Sequence, residues 1–271
     1  MPEIPSPARP LRIGTVPFLN AAPLTRGLDR EPAVVLRREL PLPLGAALER
    51  GEFDAALVPV AAAFRIDGLV LFPGAAISSD GPVRSVRLFH DKPLERVRRV
   101  ALDAGSVTSA ALVRVILRRA HDARPEFAPA PPTLRALESA DAVLVIGDAA
   151  LVAEREAARA GIASLDLGEA WRGLTNLPFV YAVFAMPRNA PPAIGPLLRA
   201  ARERGLAAIP EIAAEFSAAL GIEAPSLADY LSRNIRFGFG EREMRGLRLF
   251  REMLREEGLL DRERDIELAA P

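Results

Sequence analysis

Short runs of apolar residues, many of them β-branched, recur along the first two thirds of the chain. Each run is three to five residues long and is bounded by polar residues, glycine or proline, a pattern typical of buried strands. The predicted strands are Ile13–Val16, Val34–Arg37, Ala55–Val58, Leu69–Phe72, Ser85–Phe89, Val100–Leu102, Val143–Ile146 and Val180–Phe184.

Longer stretches with apolar residues at helical spacing separate these runs. They predict helices at Ala22–Leu28, Leu44–Arg50, Ser109–Ala120, Pro132–Ala140 and Ala149–Ala160. Strands that alternate with helices indicate parallel sheets covered by helices on both faces. From Pro191 onward the pattern is almost entirely helical, with apolar stripes in the segments that begin at Ile194, Ile212, Leu227 and Arg242.

A weak internal repeat relates two parts of this α/β region. DAALVPVAAAF begins at Asp54 and DAVLVIGDAAL begins at Asp141, an offset of 87 residues that also superimposes GTVPFLNAA on ALDAGSVTS. Any α/β chain produces some matches of this kind, but the pattern favours two similar lobes. Ligands of open α/β sheets bind beyond the carboxyl ends of the strands, so we predict a cleft between the lobes. Helix N-termini facing this cleft would attract a small dicarboxylate.

Charge and cysteine content narrow the classes of function. The 271 residues carry 35 basic and 35 acidic side chains, and a net charge of zero argues against binding to nucleic acid or an anionic membrane. The chain has no cysteine and only two histidines, His90 and His121. We therefore predict neither disulfides nor a metal site.

The opening decapeptide, MPEIPSPARP, contains four prolines and lacks the apolar stretch of a secretion signal. We interpret residues 1–10 as a disordered tail. No apolar run reaches the length of about 18 residues that a membrane span requires. We expect a cytoplasmic protein, either a monomer or a homodimer.

The loop DAGSVTSA, residues 103–110, is the best-defined candidate for an anion site. Gly105 permits a tight turn, and Ser106, Thr108 and Ser109 cluster where the next helix should begin. One hydroxyl suffices for an N-cap, so three of them favour carboxylate binding over simple capping.

The loop after the first strand holds two further candidates. Asn20 suits the N-cap of the helix that Pro23 opens, and it equally offers a donor and an acceptor to a ligand without carrying charge. Phe18 is more typical of a core residue than of a ring that stacks on a ligand.

Two later segments add candidates. Ser85 starts a strand after the Gly81-Pro82 turn, and the segment Ile77–Phe89 that contains it should cross between the lobes. No histidine lies near Ser85 in the sequence, so a pair of nucleophile and base is unsupported. Gly147 and Asp148 follow a buried strand at a helix start, where the carboxylate either caps the helix or contacts the substrate, capping being slightly favoured.

The segment DLGEAWRGLTNLPFVYAVF, residues 166–184, reads as a hydrophobic crossing between the lobes. Its aromatic residues, including Trp171 and Phe179, are placed to wall a cleft. No glycine-rich phosphate-binding loop occurs in the sequence.

Four of these segments resemble the chorismate dehydratases of menaquinone biosynthesis by the futalosine route. RIGTVPFLNAAPL, LDAGSVTSAALVRVIL, VLVIGDAAL and WRGLTNLPFVYAVF occur in the order and spacing of that family, and the resemblance extends from Arg12 to Phe250. It implies an α/β, two-lobed, type II periplasmic-binding-protein-like fold with mixed, mainly parallel sheets and a cleft between the lobes. Lobe 1 is expected to comprise residues 11–87 and 186–271, with the C-terminal helices, and lobe 2 residues 88–185.

The resemblance also implies a reaction, the dehydration of chorismate to 3-[(1-carboxyvinyl)oxy]benzoate by a carbon–oxygen lyase without a cofactor. Chorismate carries two carboxylates, which agrees with the small dicarboxylate expected from the helix N-termini. Asn20 and Ser85 match important family positions and are expected to be catalytic. Substrate-binding residues are expected at Phe18, Ser106, Thr108, Ser109, Gly147, Asp148 and Phe179. The expected base is either Asp148 or the substrate's own enolpyruvyl carboxylate.

The chain departs from the family pattern at Ala61 and Ala62, where many relatives carry serines, and at Asn176, which replaces a usual glycine. The sister enzyme 1,4-dihydroxy-6-naphthoate synthase shares the fold but has a Ser-Pro-Asn-Asp-Thr loop where this chain reads Val-Pro-Phe-Leu-Asn. Two alternatives to an enzyme are a solute-binding protein and the ligand-sensing domain of a transcription regulator. The first should carry an export signal, and the second should carry a DNA-binding helix-turn-helix.

Overall fold

Two five-stranded sheets organise the residues that the computed structural model describes, 9–103, 105–260 and 266–269. The first sheet contains β1 to β4 and β10, which span Leu11–Thr15, Val34–Arg38, Ala55–Pro59, Leu69–Ser79 and Phe179–Pro187. The second contains β5 to β9, which span Val86–His90, Arg99–Leu102, Glu126–Pro129, Ala142–Ile146 and Ala163–Asp166.

The two sheets have the same strand order. The first runs β2-β1-β3-β10-β4 and the second runs β7-β6-β8-β5-β9. In each sheet the first three strands are parallel, and the fourth pairs antiparallel with both of its neighbours. The 87-residue repeat is visible in this arrangement, because β1 and β3 correspond to β6 and β8. The predicted α/β fold with two mixed sheets is confirmed.

Burial explains which strands were readable from the sequence. Every residue of the central strand β3 is buried, whereas the edge strand β2 alternates between partly buried and exposed positions. Strands covered on both faces need unbroken apolar sequences, as Ala55–Pro59 shows.

Helices α1 to α10 pack against the sheets and against one another. They span Ala22–Thr25, Pro41–Glu49, Val60–Ala63, Val107–His121, Asp148–Ala160, Leu167–Thr175, Ile194–Ala207, Ile209–Leu220, Ala224–Asp229 and Glu241–Glu256. A π-helical turn, Tyr230–Asn234, follows α9 directly. No helix in the described part of the chain combines the length and the apolar character that crossing a membrane demands.

Within the described residues the chain crosses between the sheets twice. It passes from β4 to β5 through residues 80–85, as predicted for the segment Ile77–Phe89, and it returns through α6 to β10. Because β10 pairs with β3 and β4, we place Phe179–Pro187 in the first lobe by sheet membership, although the range 88–185 assigned most of it to the second. Likewise Val86 already belongs to the second sheet.

Several predicted helices differ from those observed. Helix α1 ends at Thr25 rather than Leu28, because Gly27 has a φ of 78°, outside the helical range. The predicted helix Pro132–Ala140 is only a 3-10 turn over Leu134–Glu138. The short strands β7 and β9 and the helix α6 were not predicted.

The amino-terminal tail was predicted to span residues 1–10, and residues 1–8 lie outside the described residues. Arg9 and Arg12 both pair with the Asp54 carboxylate, at nitrogen–oxygen distances of 2.7 and 3.1 Å. Burial opposes ionisation of Asp54, but hydrogen bonds from the two arginines outweigh it and hold the pKa of that carboxyl well below its usual range. The ion pair with Asp54 therefore holds Arg9 against the first sheet.

The packing of α7 on α1 generates a stability prediction. A Cβ atom on Gly205 would lie 1.9 Å from the carbonyl oxygen of Pro23, so we expect Gly205→Ala to lower the free energy of unfolding by about 2 kcal/mol or more. Gly173→Ala in α6 is the matched control, because a Cβ there meets no atom within 4 Å and should raise stability by up to about 1 kcal/mol. Urea denaturation measures both, and equal effects would contradict the close packing.

Candidate functional site

A cavity with a volume of about 80 Å³ lies between the two sheets, at the carboxyl ends of their parallel strands. Phe18 and Asn20 enter it from the loop after β1, Ser106 from the loop after β6, and Gly147 from the end of β8. Ser85 enters it from the first crossing segment. Both halves of the repeat therefore contribute to one cavity, as the predicted cleft requires.

Most of the predicted site residues line this cavity: Phe18, Asn20, Ser85, Ser106, Thr108, Ser109 and Gly147. Their catalytic and binding roles remain predictions. Asp148 and Phe179 do not line it. In the predicted loop 103–110, Ala104 lies outside the described residues.

Phe179 belongs to an aromatic cluster of the core, which corrects its predicted place in the site. It is 1% exposed, and its ring makes edge-on contacts with Trp171, Tyr181 and Phe250 at centroid distances of 5.1, 4.8 and 4.8 Å. Trp171 is fully buried and donates its indole N–H to the carbonyl of Pro178 at 3.2 Å. Only Tyr181 of this cluster reaches the cavity.

The start of α4 presents hydrogen-bond donors to the cavity. Ser106 precedes Val107, the first residue of the helix, yet makes no capping hydrogen bond. Its side chain is 2% exposed, and its Oγ has no partner among the described residues. Backbone N–H groups of a first turn lack intrahelical acceptors, and the helix dipole favours negative charge there. The Ser106 hydroxyl is therefore free to pair with a group that enters the cavity.

Thr108 connects the two walls of the cavity. Its Oγ1 accepts a hydrogen bond from the backbone N–H of Ala61 in α3 at 3.1 Å. The hydroxyl proton of Thr108 remains available, because a hydroxyl both accepts and donates.

Asn20 and Ser85 each hold a buried oxygen atom without a partner. Asn20 Oδ1 and Ser85 Oγ form no hydrogen bond with any described residue. The adjoining helices begin without a side-chain cap, so the capping interpretation of Asn20 is not realised. Leaving a buried polar group unpaired costs about 1–3 kcal/mol, which a ligand would recover by pairing with these groups.

Asp166 fixes the segment that presents Ser85. Its carboxylate is 4% exposed and accepts hydrogen bonds from the N–H groups of Val83 and Arg84 at 3.0 and 2.7 Å. It also caps α6 by accepting from two first-turn N–H groups at 3.0 and 3.1 Å. Arg84 has a φ of 59°, in the left-handed region, so this backbone conformation needs such support.

Asp148 joins the lobes behind the cavity. Both of its carboxylate oxygens accept from the backbone N–H of Leu19, at 3.0 and 3.2 Å. Burial raises the pKa of Asp148 to about 6, although the hydrogen bond from Leu19 opposes this. Next to it, Gly147 has a φ of 64°, and a Cβ there would lie 3.5 Å from the Phe18 ring. These contacts hold the loop after β1 against the end of β8.

The cavity wall is almost free of ionisable side chains. Among the described residues that line it, Tyr181 alone is titratable, and burial raises the pKa of its phenol well above the usual value. The described residues contain no group of three or more histidine, aspartate or glutamate side chains able to hold a metal ion. The cavity therefore offers neutral donors and acceptors rather than a charged acid or base.

The fold and the cavity together define a two-lobed α/β protein of the periplasmic-binding-protein kind. Protein AF1704 from Archaeoglobus fulgidus aligns with a TM-score of 0.73 at 18% identity, over 93% of this chain and 99% of that one. The periplasmic aliphatic sulphonate binding protein SsuA from Escherichia coli aligns with a TM-score of 0.66 at 17% identity, over 96% of each chain. At these identities the likeness shows the fold alone.

The chain belongs to the menaquinone biosynthesis family, whose model matches residues 11–256. A chorismate dehydratase from Thermus thermophilus is 36% identical over 264 residues, which cover 91% of this chain and 96% of that relative. The family resemblance drawn from the four sequence motifs is confirmed.

The raised pKa of Asp148 generates a pH-dependent prediction. The unfolded chain loses this proton near pH 3.8, whereas the folded protein holds it until about pH 6. The folded state thus binds more protons in this window, and its stability falls as pH rises from about 4 to 6, by roughly 3 kcal/mol for two pKa units.

Asp148→Asn keeps an oxygen that can accept from Leu19 but removes the titration. We expect the stability of this variant relative to wild type to increase as pH rises from about 4 to 6 and to level off above pH 6. Urea denaturation across pH 4 to 8 measures the difference. A difference that stays constant with pH would refute the raised pKa.

Proposed function

We propose that this protein is a chorismate dehydratase, a carbon–oxygen lyase that converts chorismate to 3-[(1-carboxyvinyl)oxy]benzoate and water. The observation that carries the proposal is the cavity itself. Unpaired buried oxygens of Asn20, Ser85 and Ser106 face a space whose described lining contains no carboxylate, histidine or lysine. Neutral donors of this kind suit a dianionic substrate that supplies its own base. Family membership and the 36% identical chorismate dehydratase support the same assignment.

The start of α4 binds the ring carboxylate in this proposal. Removal of the proton from ring C3 develops negative charge that the ring double bond delocalises toward that carboxylate. Hydrogen bonds from Ser106, Thr108 and Ser109, together with the helix dipole, stabilise the charge in the transition state.

The enolpyruvyl carboxylate of the substrate takes the C3 proton. Asp148 is unsuited to this role, because it does not line the cavity and both its oxygens accept from Leu19. The electrons of the C3–H bond form the C3–C4 double bond that completes the aromatic ring. The C4–O bond breaks with its electron pair, and the departing hydroxide combines with the proton taken from C3, which gives water and regenerates the enolpyruvyl carboxylate.

Asn20 and Ser85 bind the departing hydroxyl group. Each holds a buried oxygen atom with spare hydrogen-bonding capacity, and each lies on a different segment of the cavity wall. Donation to the leaving oxygen stabilises charge that is small in the bound substrate and larger in the transition state, which lowers the barrier. The protein then contributes positioning and exclusion of water.

The direct test incubates the purified protein with chorismate and follows the aromatic product by ultraviolet absorbance and mass spectrometry. We expect 3-[(1-carboxyvinyl)oxy]benzoate to accumulate without any added metal or cofactor. Chorismate that binds but stays unchanged would indicate a binding protein instead. Turnover of cyclic dehypoxanthine futalosine, with chorismate untouched, would indicate the sister enzyme of the family resemblance.

The assigned roles generate a second prediction. Asn20→Ala and Ser85→Ala should each lower kcat by about 100-fold, as expected when one preorganised donor is lost. Ser106→Ala should raise KM and also lower kcat, because its contact with the ring carboxylate is made in the bound substrate and strengthens as charge develops in the transition state.

Ser217→Ala is the control for these variants. The Ser217 hydroxyl donates to the carbonyl of Ile222 at 2.7 Å in α8, away from the cavity lining, so its kinetics should match wild type. Steady-state kcat and KM with chorismate are measured for each variant and for wild type. Unchanged turnover in Asn20→Ala or Ser85→Ala would remove that residue from the mechanism.

A further inference from the structure

Gly147 and Asp148, just after β8, contact both segments that carry the proposed catalytic side chains. The backbone N–H of Gly147 donates to the carbonyl oxygen of Ser85 at 2.7 Å. The Asp148 carboxylate accepts from the backbone N–H of Leu19, the residue before Asn20, at oxygen–nitrogen distances of 3.0 and 3.2 Å. One dipeptide thus holds the main chain at Ser85 and next to Asn20.

The N–H group of Leu19 needs an acceptor from another segment. Leu19 is fully buried and begins the 3-10 turn that contains Asn20, and the first N–H of such a turn has no partner within it. A buried N–H group without an acceptor is costly, and the Asp148 carboxylate supplies the acceptor. Within the turn, the N–H of Ala21 donates to the carbonyl oxygen of Phe18 at 3.0 Å. Asn20 therefore lies between two anchored N–H groups.

The internal repeat contains a second contact between the sheets at an equivalent position. The offset of 87 residues superimposes Ala61, after β3, on Asp148, after β8. The backbone N–H of Ala61 donates to Thr108 Oγ1, after β6, at 3.1 Å, just as that of Leu19, after β1, donates to Asp148. The two contacts exchange donor and acceptor between the repeats, and the one at Asp148 directly adjoins Asn20.

We propose that Asp148 is a positioning residue for the dehydration: its carboxylate fixes the main chain at Leu19 and thereby holds the Asn20 side chain at the leaving hydroxyl of the substrate. The inference rests on the proposed function. Leu19 follows a strand of the first sheet and Asp148 follows a strand of the second, so the contact exists only while the two lobes meet. The carboxylate acts here as a hydrogen-bond acceptor, and its proton takes no part in the reaction.

Asp148→Leu and Asp148→Asn together test this role. Leucine has a similar branched shape but no acceptor, so we expect kcat for chorismate to fall about tenfold while KM changes less than about twofold. Asparagine keeps one accepting oxygen, so we expect its kcat to stay within about twofold of wild type. A wild-type kcat in Asp148→Leu would overturn the proposal. An equal loss in both variants would also overturn it, because the charge or the proton of Asp148 would then be required.

Two further variants complete the kinetic test. Adding Asp148→Leu to Asn20→Ala should cause no further loss, because Asp148 acts through Asn20, and a full additional loss would contradict the proposal. Glu241→Leu is the matched control. It removes another carboxylate from the first turn of a helix, α10, and Glu241 is exposed and does not line the cavity, so its kinetics should match wild type. An equal fall in this control would overturn the assignment to the contact with Leu19.

The amide of Leu19 gives a readout independent of catalysis. Phe18-Leu19 is the only phenylalanine–leucine pair in the sequence, so isotopic labelling of phenylalanine carbonyl carbons and leucine nitrogens yields a single correlated NMR signal. We expect this N–H to exchange with solvent deuterium about tenfold faster in Asp148→Leu than in wild type, Asp148→Asn or Glu241→Leu. Unchanged exchange would overturn the contact. Faster exchange in a protein that leaves chorismate unchanged would support the contact while the proposed function fails.

Asp148→Ala covers the case in which Asp148→Leu does not fold. Alanine suits the start of α5 and leaves space for a water molecule that partly replaces the lost acceptor. We therefore expect kcat to fall about threefold with little change in KM. An unchanged kcat in this variant would show that Asp148 does not position the site.

Discussion

The placement of the site depends on one carboxylate that satisfies four backbone N–H groups. Between β4 and β5 the chain leaves one sheet before it joins the other, so Val83 and Arg84 have no strand to pair with. Buried N–H groups without acceptors are costly, and Asp166 supplies the acceptor for both while it starts α6. The two crossings are thereby joined at one point, and the next residue, Ser85, is held at the cavity. A change there would disturb both lobes at once.

Sequence patterns predicted the central strands well because these strands are buried on both faces. β3 and β8 read as unbroken apolar runs and repeat at 87 residues, whereas the edge strands β7 and β9 are short and largely exposed or half-buried, so no apolar run marks them. Helix α6 did carry a signal, since Asp166 and Glu169 have the spacing of a capping box. Phe179 was expected at the cleft because it lies beside the crossing segment, but its ring packs against Trp171 and Phe250, and such tertiary contacts leave no local signal in the sequence.

Sequence patterns predicted the site residues that directly follow a parallel strand. They did not predict contacts that exist only because distant segments meet in the folded protein. Loops after β1 and β6 were recognisable because their polar residues interrupt an apolar run at a helix start. The hydrogen bond from Leu19 to Asp148 joins positions 129 residues apart and leaves no local trace. Asn176, where the sequence resemblance leads us to expect a glycine, has a φ of 59° at the end of α6. Asparagine tolerates this conformation better than most residues, so the substitution preserves the backbone.

Because the described lining of the cavity holds no carboxylate, histidine or lysine, the proposed reaction depends on groups of the substrate itself. A chorismate analogue whose ether side chain ended in a neutral amide would keep the ring carboxylate and the allylic alcohol, and would occupy the same hydrogen-bonding groups. It would carry no group able to accept the ring proton. Under the proposed function such a molecule would be an inert mimic of the substrate, and its selectivity would follow from the shape of the fold rather than from any reactive side chain of the protein.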